Sequence, residues 1–265
     1  MARFTISVTG QKGGIAKTTT ALGLAGAFAE QGKRVLLVDL DPQGNLTLGI
    51  GFQTNGNSAN LTAADVLLKG LPAQNAAYPT KVQNIDLIPA SLTLRLTERY
   101  FAGRPSQYGA LRKALDSPKC QDYDYVIIDS PPSLGALTGN ALTAADLALL
   151  PTQAEYFSAY ALKTTLQMVE TVRRGTNPHL AYRILITMFR RRNRAHAIIR
   201  ARLEATFGNG LCKTVIETDT KLRESAIIGL PITHFAPKTR SAMQYRELAK
   251  ELAAYVQEEK VRKAY

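Results

Sequence analysis

Gly10-Gln11-Lys12-Gly13-Gly14-Ile15-Ala16-Lys17-Thr18-Thr19-Thr20 is the stretch that decides how this chain is read. It follows the apolar run Phe4-Thr5-Ile6-Ser7-Val8 and opens an Ala- and Leu-rich run, Ala21 to Glu30. That order predicts a strand over 3–9, a glycine turn, and a helix over 17–31 that Gly32 ends. A helix N-terminus presents unpaired N–H groups and partial positive charge, which suits an anion. Gly13 and Gly14 lack Cβ, so the turn can bend tightly and bring its N–H groups onto phosphate oxygens. Lys17 can reach the β- and γ-phosphates, and the Thr18 hydroxyl can ligate Mg²⁺.

Two further apolar runs end in acid. Arg34-Val35-Leu36-Leu37-Val38-Asp39-Leu40 leads into Asp41-Pro42-Gln43-Gly44-Asn45. Tyr125-Val126-Ile127-Ile128-Asp129 leads into Ser130-Pro131-Pro132-Ser133-Leu134-Gly135. Continuous apolar runs of this length belong to parallel strands covered on both faces, and ligands gather at the C-terminal ends of such strands. A carboxylate there, Asp129, can hold Mg²⁺ through water beside Thr18. Strands alternating with helices along the chain predict an α/β fold, a doubly wound and mostly parallel sheet with helices on both faces and right-handed crossovers. Residues 1–265 read as a single domain without internal repeat or linker.

The generic phosphate-loop pattern GxxxxGK[ST] is not met, because its glycine positions hold Gln11 and Ala16. KGGxxK[ST] is met, with an extra lysine at Lys12. This resembles the deviant Walker A motif of the ParA/MinD family of dimerising P-loop ATPases. The resemblance implies ATP or ADP with Mg²⁺ as cofactors, bound along Lys12, Gly13, Gly14, Ile15, Ala16, Lys17, Thr18 and Thr19. It implies a homodimer in ATP, with Lys12 reaching the partner copy's nucleotide. Asp39 to Asn45 resembles the first switch, in which Asp41 positions the attacking water and Asp39 lies near the Mg²⁺ shell. Asp129-Ser130-Pro131-Pro132-Ser133 resembles the second. Lys12, Lys17 and Asp41 are then the catalytic residues, and Thr18, Asp41 and Asp129 the metal site. Thr152-Gln153-Ala154-Glu155 matches a dimer-face segment, and Thr187-Met188-Phe189 a segment near the base, which adds Met188 to the nucleotide site. Two departures stand out. Ala16 sits where most relatives have glycine, and Ile216-Glu217-Thr218-Asp219 where they usually have Ile-Pro-Arg-Asn.

Charge points to a polyanion. The chain has 33 Lys and Arg against 21 Asp and Glu, a formal net charge of +12. Thr171 to Leu203 holds nine arginines and no acid, densest at Arg190-Arg191-Arg192-Asn193-Arg194, where a strand gives way to a helix. Arginine is planar, always charged and bidentate to phosphate, and a run without acids repels itself. Relatives keep an arginine at the position of Arg192 for DNA binding without sequence preference, and often an aspartate at that of Arg190. Lys221 and Arg223 match a second basic stretch. The expected DNA site is therefore Arg190, Arg191, Arg192, Arg194, Lys221 and Arg223, acting on double-stranded DNA, with a ParB-type centromere-binding protein as further partner.

Other features narrow the class. Cys120 and Cys212 are far apart and without metal spacing, consistent with a reducing cytoplasm, and the resemblance implies association with the nucleoid there. The first strand leaves no room for a signal peptide, and no apolar run approaches the ~18–20 residues of a membrane span. A MinD-like membrane-cycling ATPase would need a lipid-binding C-terminal helix, yet Glu251 to Lys263 has three acids and few large apolar residues. A nitrogenase-type reductase would need cysteines near Ser130 to Gly135, and an amide- or carboxylate-forming enzyme a substrate motif, and neither is visible. Residues 49–60 read as a loop, and Thr62 to Lys69 as a short helix capped by Thr62 with Asp65.

Overall fold

The structure, a computed structural model, describes residues 3–53 and 60–264. The expected loop at 49–60 thus lies partly outside the described residues. In chain order β1 is Phe4–Val8, α1 Lys17–Ala29, β2 Val35–Asp39, α2 Asn45–Gly49 and α3 Ala63–Lys69. There follow β3 (Tyr78–Pro79), β4 (Ile85–Ile88), α4 (Leu94–Phe101), α5 (Ala110–Leu115), β5 (Tyr125–Asp129) and α6 (Ala136–Ala144). The last part holds β6 (Leu147–Gln153), α7 (Tyr156–Arg174), β7 (Ala181–Phe189), α8 (Arg194–Phe207), β8 (Leu211–Glu217), α9 (Lys221–Ile228), α10 (Ile232–Phe235) and α11 (Arg240–Ala264). Among the described residues these strands form one sheet, in the order β3-β4-β2-β5-β1-β6-β7-β8. All pairs are parallel except β3 with β4 at one edge.

Alternation along the strands makes two covered faces. Val35 and Leu37 of β2 face the cluster that includes Phe28, Tyr245 and Leu248, so α1 and α11 cover that side. Leu36 and Val38 face the cluster with Val66, Leu111 and Leu137, which brings α3, α5 and α6 to the other. Farther along, Ala148, Leu150, Ile184 and Ile186 pack against Leu162, Val169 and Leu203 of α7 and α8. This is the doubly wound architecture the sequence predicts. The close fit of α1 on α11 depends on Gly23, where a Cβ would come within 2.6 Å of the Tyr245 ring. The Thr62–Asp65 capping box is present, with Asp65 Oδ2 accepting from the Thr62 N–H at 2.9 Å.

The crossover from β1 to β2 passes β5 in one direction along the sheet, and the crossover from β5 to β6 passes β1 in the other. Sheets of this kind hold ligands in the crevice outside the strand tips where the order reverses. The glycine turn after β1 lies in that crevice.

Candidate nucleotide site and basic surface

Sheet register assembles the site. Val8 and Asp39 both lie opposite Asp129 on β5. Neighbouring strands are about 4.8 Å apart, so carboxylates distant in sequence become neighbours. Asp39 and Asp129 are fully buried. Burial pushes the Asp39 carboxyl up to about 6, against hydrogen bonds from Thr47 and Asp41 that favour its charge. Burial, and then the charge of Asp39, drives Asp129 well above the usual carboxylate range. Burial also pulls the Lys17 ammonium down, while Asp129 and Asp41 hold it up.

Thr18 Oγ1 donates to Asp129 Oδ2 at 2.6 Å, so two of the three expected metal-site residues meet, while the third, Asp41, accepts from Gln43 N. The other oxygen of Asp129 is buried and has no partner. A buried carboxylate oxygen left without a donor wants a cation or a water, and with Thr18 and Lys17 beside it the chemistry fits Mg²⁺. Among the described residues no three His, Cys, Asp or Glu side chains converge on a metal position. The cation would therefore complete its shell with phosphate oxygens and water, as Mg²⁺ commonly does.

The loop itself is shaped for phosphate. A Cβ on Gly13 or Gly14 would meet nothing within 4 Å, so the space before the loop is open. Gly14 takes φ 73° and Ala16 φ 65°, both left-handed. Alanine there costs about 1–2 kcal/mol relative to a conformation it prefers, which is why glycine is usual at that position. Ile15 is buried under the turn, Thr19 half-buried on α1. Lys17 Nζ donates to the Lys12 carbonyl at 3.4 Å.

Lys12 points elsewhere. Its Nζ donates to Gln153 Oε1 and Glu155 Oε2, both at 2.9 Å, and to Ser158 Oγ at 3.3 Å. In the single chain it is tied to the β6–α7 junction rather than turned toward Lys17. Two side chains from the segments expected at the dimer face and near the base have a role the sequence reading did not give them: they brace the loop from this side. Thr187 Oγ1 donates to the Ile15 carbonyl at 3.1 Å, and Gln153 Nε2 to the Gly14 carbonyl at 3.3 Å. The available signal is their place at the ends of apolar strands, the same one that marks Asp39 and Asp129. Gln153 Nε2 also meets Met188 Sδ at 2.9 Å, and Met188 has φ 53°. A methionine in that region marks strain held by its surroundings, and Thr218 Oγ1 supports it by donating to its carbonyl at 3.1 Å.

Asp39 anchors the segment after β2 that resembles a first switch. Its carboxylate accepts from Asp41 N at 3.1 Å, Thr47 N at 2.8 Å and Thr47 Oγ1 at 2.7 Å. Asp41, also buried, accepts from Gln43 N at 2.9 Å. The segment that resembles a second switch ends at α6, whose first N–H groups, Ala136 and Leu137, donate to Glu98 of α4 at 2.9 and 2.7 Å.

At the tips of β7 and β8 the picture changes. Arg190, Arg191, Arg192 and Arg194 are exposed, on a turn that Asn193 closes by capping α8. Lys221 and Arg223 are exposed on α9, just past β8. Lys221 pairs with Glu224 at 2.6 Å and Arg191 with Glu217 at 2.9 Å, whereas Arg190, Arg192 and Arg194 make no ion pair among the described residues. The acid-free window is not one surface. Arg173 and Arg174 end α7 before the start of β7, at the other end of the strands from Arg190, and pair with Glu170, and Arg183 lies over the Tyr255 ring at 4.0 Å. Sequence proximity groups them with Arg190, but the α7–β7 reversal separates them. Among the described residues, no helix is long and apolar enough to cross a membrane.

A family model described as an AAA domain matches residues 3–182. Curated relatives include the chromosome-partitioning ATPase Soj of Thermus thermophilus, 41% identical over 96% of this chain and 96% of the relative. Another is the sporulation initiation inhibitor protein Soj of Bacillus subtilis, 39% identical over 94% of this chain and 98% of the relative. Among solved structures, cobyrinic acid a,c-diamide synthase of Mycobacterium smegmatis with bound ADP and magnesium superposes with a TM-score of 0.82. It is 32% identical, over 97% of this chain and 96% of that one.

Proposed function

We propose a working cycle for a chain that belongs to the ParA/Soj family of P-loop ATPases, a chromosome- or plasmid-partitioning ATPase. Two ATP-bound copies pair face to face, each giving Lys12 to the other's nucleotide. The pair binds double-stranded DNA without sequence preference through Arg190, Arg191, Arg192, Arg194, Lys221 and Arg223. Contacts of this kind position a protein on the duplex but read no bases. Hydrolysis ends the pairing, and a ParB-type partner accelerates it.

The observation that carries this reading is the position of Lys12. It lies outside its own phosphate cradle, held by Gln153, Glu155 and Ser158. To serve a partner's nucleotide it exchanges these contacts, and breaking the pair with Glu155 supports a slow unassisted rate. Magnesium, when bound, supplies charge neutralisation at the phosphates. Thr18 and Asp129 would hold it. Lys17 and the incoming Lys12 stabilise the charge that develops, and Asp41 orients the attacking water.

Membrane cycling is disfavoured by α11. Leu248, Leu252 and Val256 are buried in the core, so this apolar face is already covered. Sedimentation and DNA shift with no nucleotide, ADP or ATP, each at two salt concentrations, test the cycle. A dimer and a DNA complex only in ATP is the expected result. A monomer in saturating Mg-ATP, or equal DNA binding without nucleotide, overturns it.

A further inference from the structure

We infer that the groove along the edge strand β8 is a second phosphodiester-binding strip, organised by the buried carboxylate of Glu217. This rests on the DNA reading above and extends it beyond the Arg190–Arg194 turn. The groove has a volume of about 620 Å³, and its lining includes Arg191, Arg200, Lys213 and Arg240. These come from the β7–α8 turn, α8, β8 and the first residue of α11.

Glu217 forms the floor. Its side chain is 5% exposed, and Oε1 accepts from Arg191 Nε at 2.9 Å and Gln244 Nε2 at 2.8 Å, while Oε2 pairs with Arg240 Nη1 at 3.2 Å. A buried carboxylate with this many donors is satisfied and fixed. It fixes in turn the direction of two guanidiniums that stay 76% and 54% exposed. A guanidinium has five N–H donors, and each spends only part of them on Glu217. The remainder are pre-oriented at the groove mouth, the arrangement that suits bidentate phosphate contacts.

Lys213 extends the strip. It is exposed on β8 and makes no ion pair among the described residues. At a rise of about 3.3 Å per residue, Lys213 and Glu217 are about 13 Å apart, a span of about four base pairs at 3.4 Å each. The opposing acids are Glu247, paired with Lys250 at 2.9 Å, Glu204, paired with Arg200 at 2.7 Å, and Glu251, whose oxygens are taken by the Lys213 and Thr214 N–H groups at 2.7 and 2.9 Å. The balance stays cationic, and the strip runs into the exposed Arg190, Arg192 and Arg194. A continuous track of this kind fits a polymer of phosphates better than a single small anion.

The test uses the full chain in Mg-ATP and fluorescent duplexes of two unrelated sequences, titrated at several salt concentrations. Lys213→Glu and Arg240→Glu should each weaken binding about tenfold and lower the slope of log K against log salt by about 1, equally for both sequences. Arg240→Lys keeps the charge but loses the fork, so it should keep the slope and lose affinity several-fold. Arg174→Glu, at the opposite end of the strands, should change neither. Unaltered slopes for Lys213→Glu and Arg240→Glu, with a lowered slope for Arg192→Glu, overturn the strip and leave the DNA reading standing. Absence of DNA binding by the unmutated protein overturns both. If Arg240→Glu fails to fold beside Glu217, the exposed Lys213→Glu decides.

Discussion

At the tips of β1, β2 and β5 the ionisable side chains lie under the surface, whereas at the tips of β7 and β8 they stand in water. Lys17, Asp39, Asp41 and Asp129 are all buried. Arg190, Arg192 and Arg194 are exposed and unpaired among the described residues. Buried charge is expensive unless it is matched group by group, so the first edge tolerates few residues at each position. Exposed charge is screened within about 10 Å, so the second edge needs only enough cations on one surface. One edge should therefore respond to substitution in an all-or-none way and the other by increments that depend on salt.

Lys17→Ala is the severest test of that contrast. The buried ammonium balances Asp129 and Asp41. Its loss should lower nucleotide affinity by at least about 100-fold, following the roughly tenfold per 1.4 kcal/mol relation, as read by calorimetric titration. Near-normal affinity would mean that the loop backbone alone holds phosphate and that the first edge is not all-or-none. Asp41→Ala comes next. It should leave nucleotide binding and pairing in place and reduce turnover by about 10²–10⁴-fold, the range for a lost catalytic proton acceptor. Normal turnover would remove Asp41 from the proposed water-positioning role.

The same contrast explains what could be read from the sequence. Phe4–Val8, Val35–Asp39 and Tyr125–Asp129 fall where the apolar runs predict, because strands covered on both faces have little choice of residue. Lys17 and Thr18 are set by the turn after β1, and Asp129 meets them as expected because the parallel register puts it opposite Val8, at the start of that turn. Gln153 and Thr187 are less visible, since bracing two carbonyls leaves no local pattern. The helices α2, α6 and α9 lack the long periodic run that would announce them, and their starts are set by tertiary partners such as Asp39 for α2 and Glu98 for α6. On the basic edge the sequence shows how many arginines there are, but only the fold separates Arg173 and Arg174 from Arg190 and Arg192.

Arg192→Glu probes the second edge. DNA affinity should fall about tenfold with the salt slope reduced by about 1, and ATP-driven pairing should persist. Complete loss of binding at low salt would make this edge as exacting as the first. An unchanged salt slope would clear Arg192 of phosphate contact.

The smallest effect belongs to Glu98, which brings the buried logic of the first edge to a residue on α4 that no motif marks. Its two carboxylate oxygens take the Ala136 and Leu137 N–H groups that open α6 behind the second switch. Glu98→Ala should destabilise by about 0.5–2 kcal/mol, the usual range for a lost N-terminal cap, seen as a lower urea midpoint at constant slope. Gly135 gives the reciprocal test. A Cβ there would lie 1.6 Å from Glu98 Oε1, so Gly135→Ala must expel the same carboxylate. If both substitutions act by uncapping α6, the double variant Glu98→Ala, Gly135→Ala should be less destabilised than the sum of the singles. The coupling should be about 0.5 kcal/mol or more, as for residues in contact. Strict additivity would mean that Gly135 is needed for its backbone alone, and that the second switch draws no order from α4.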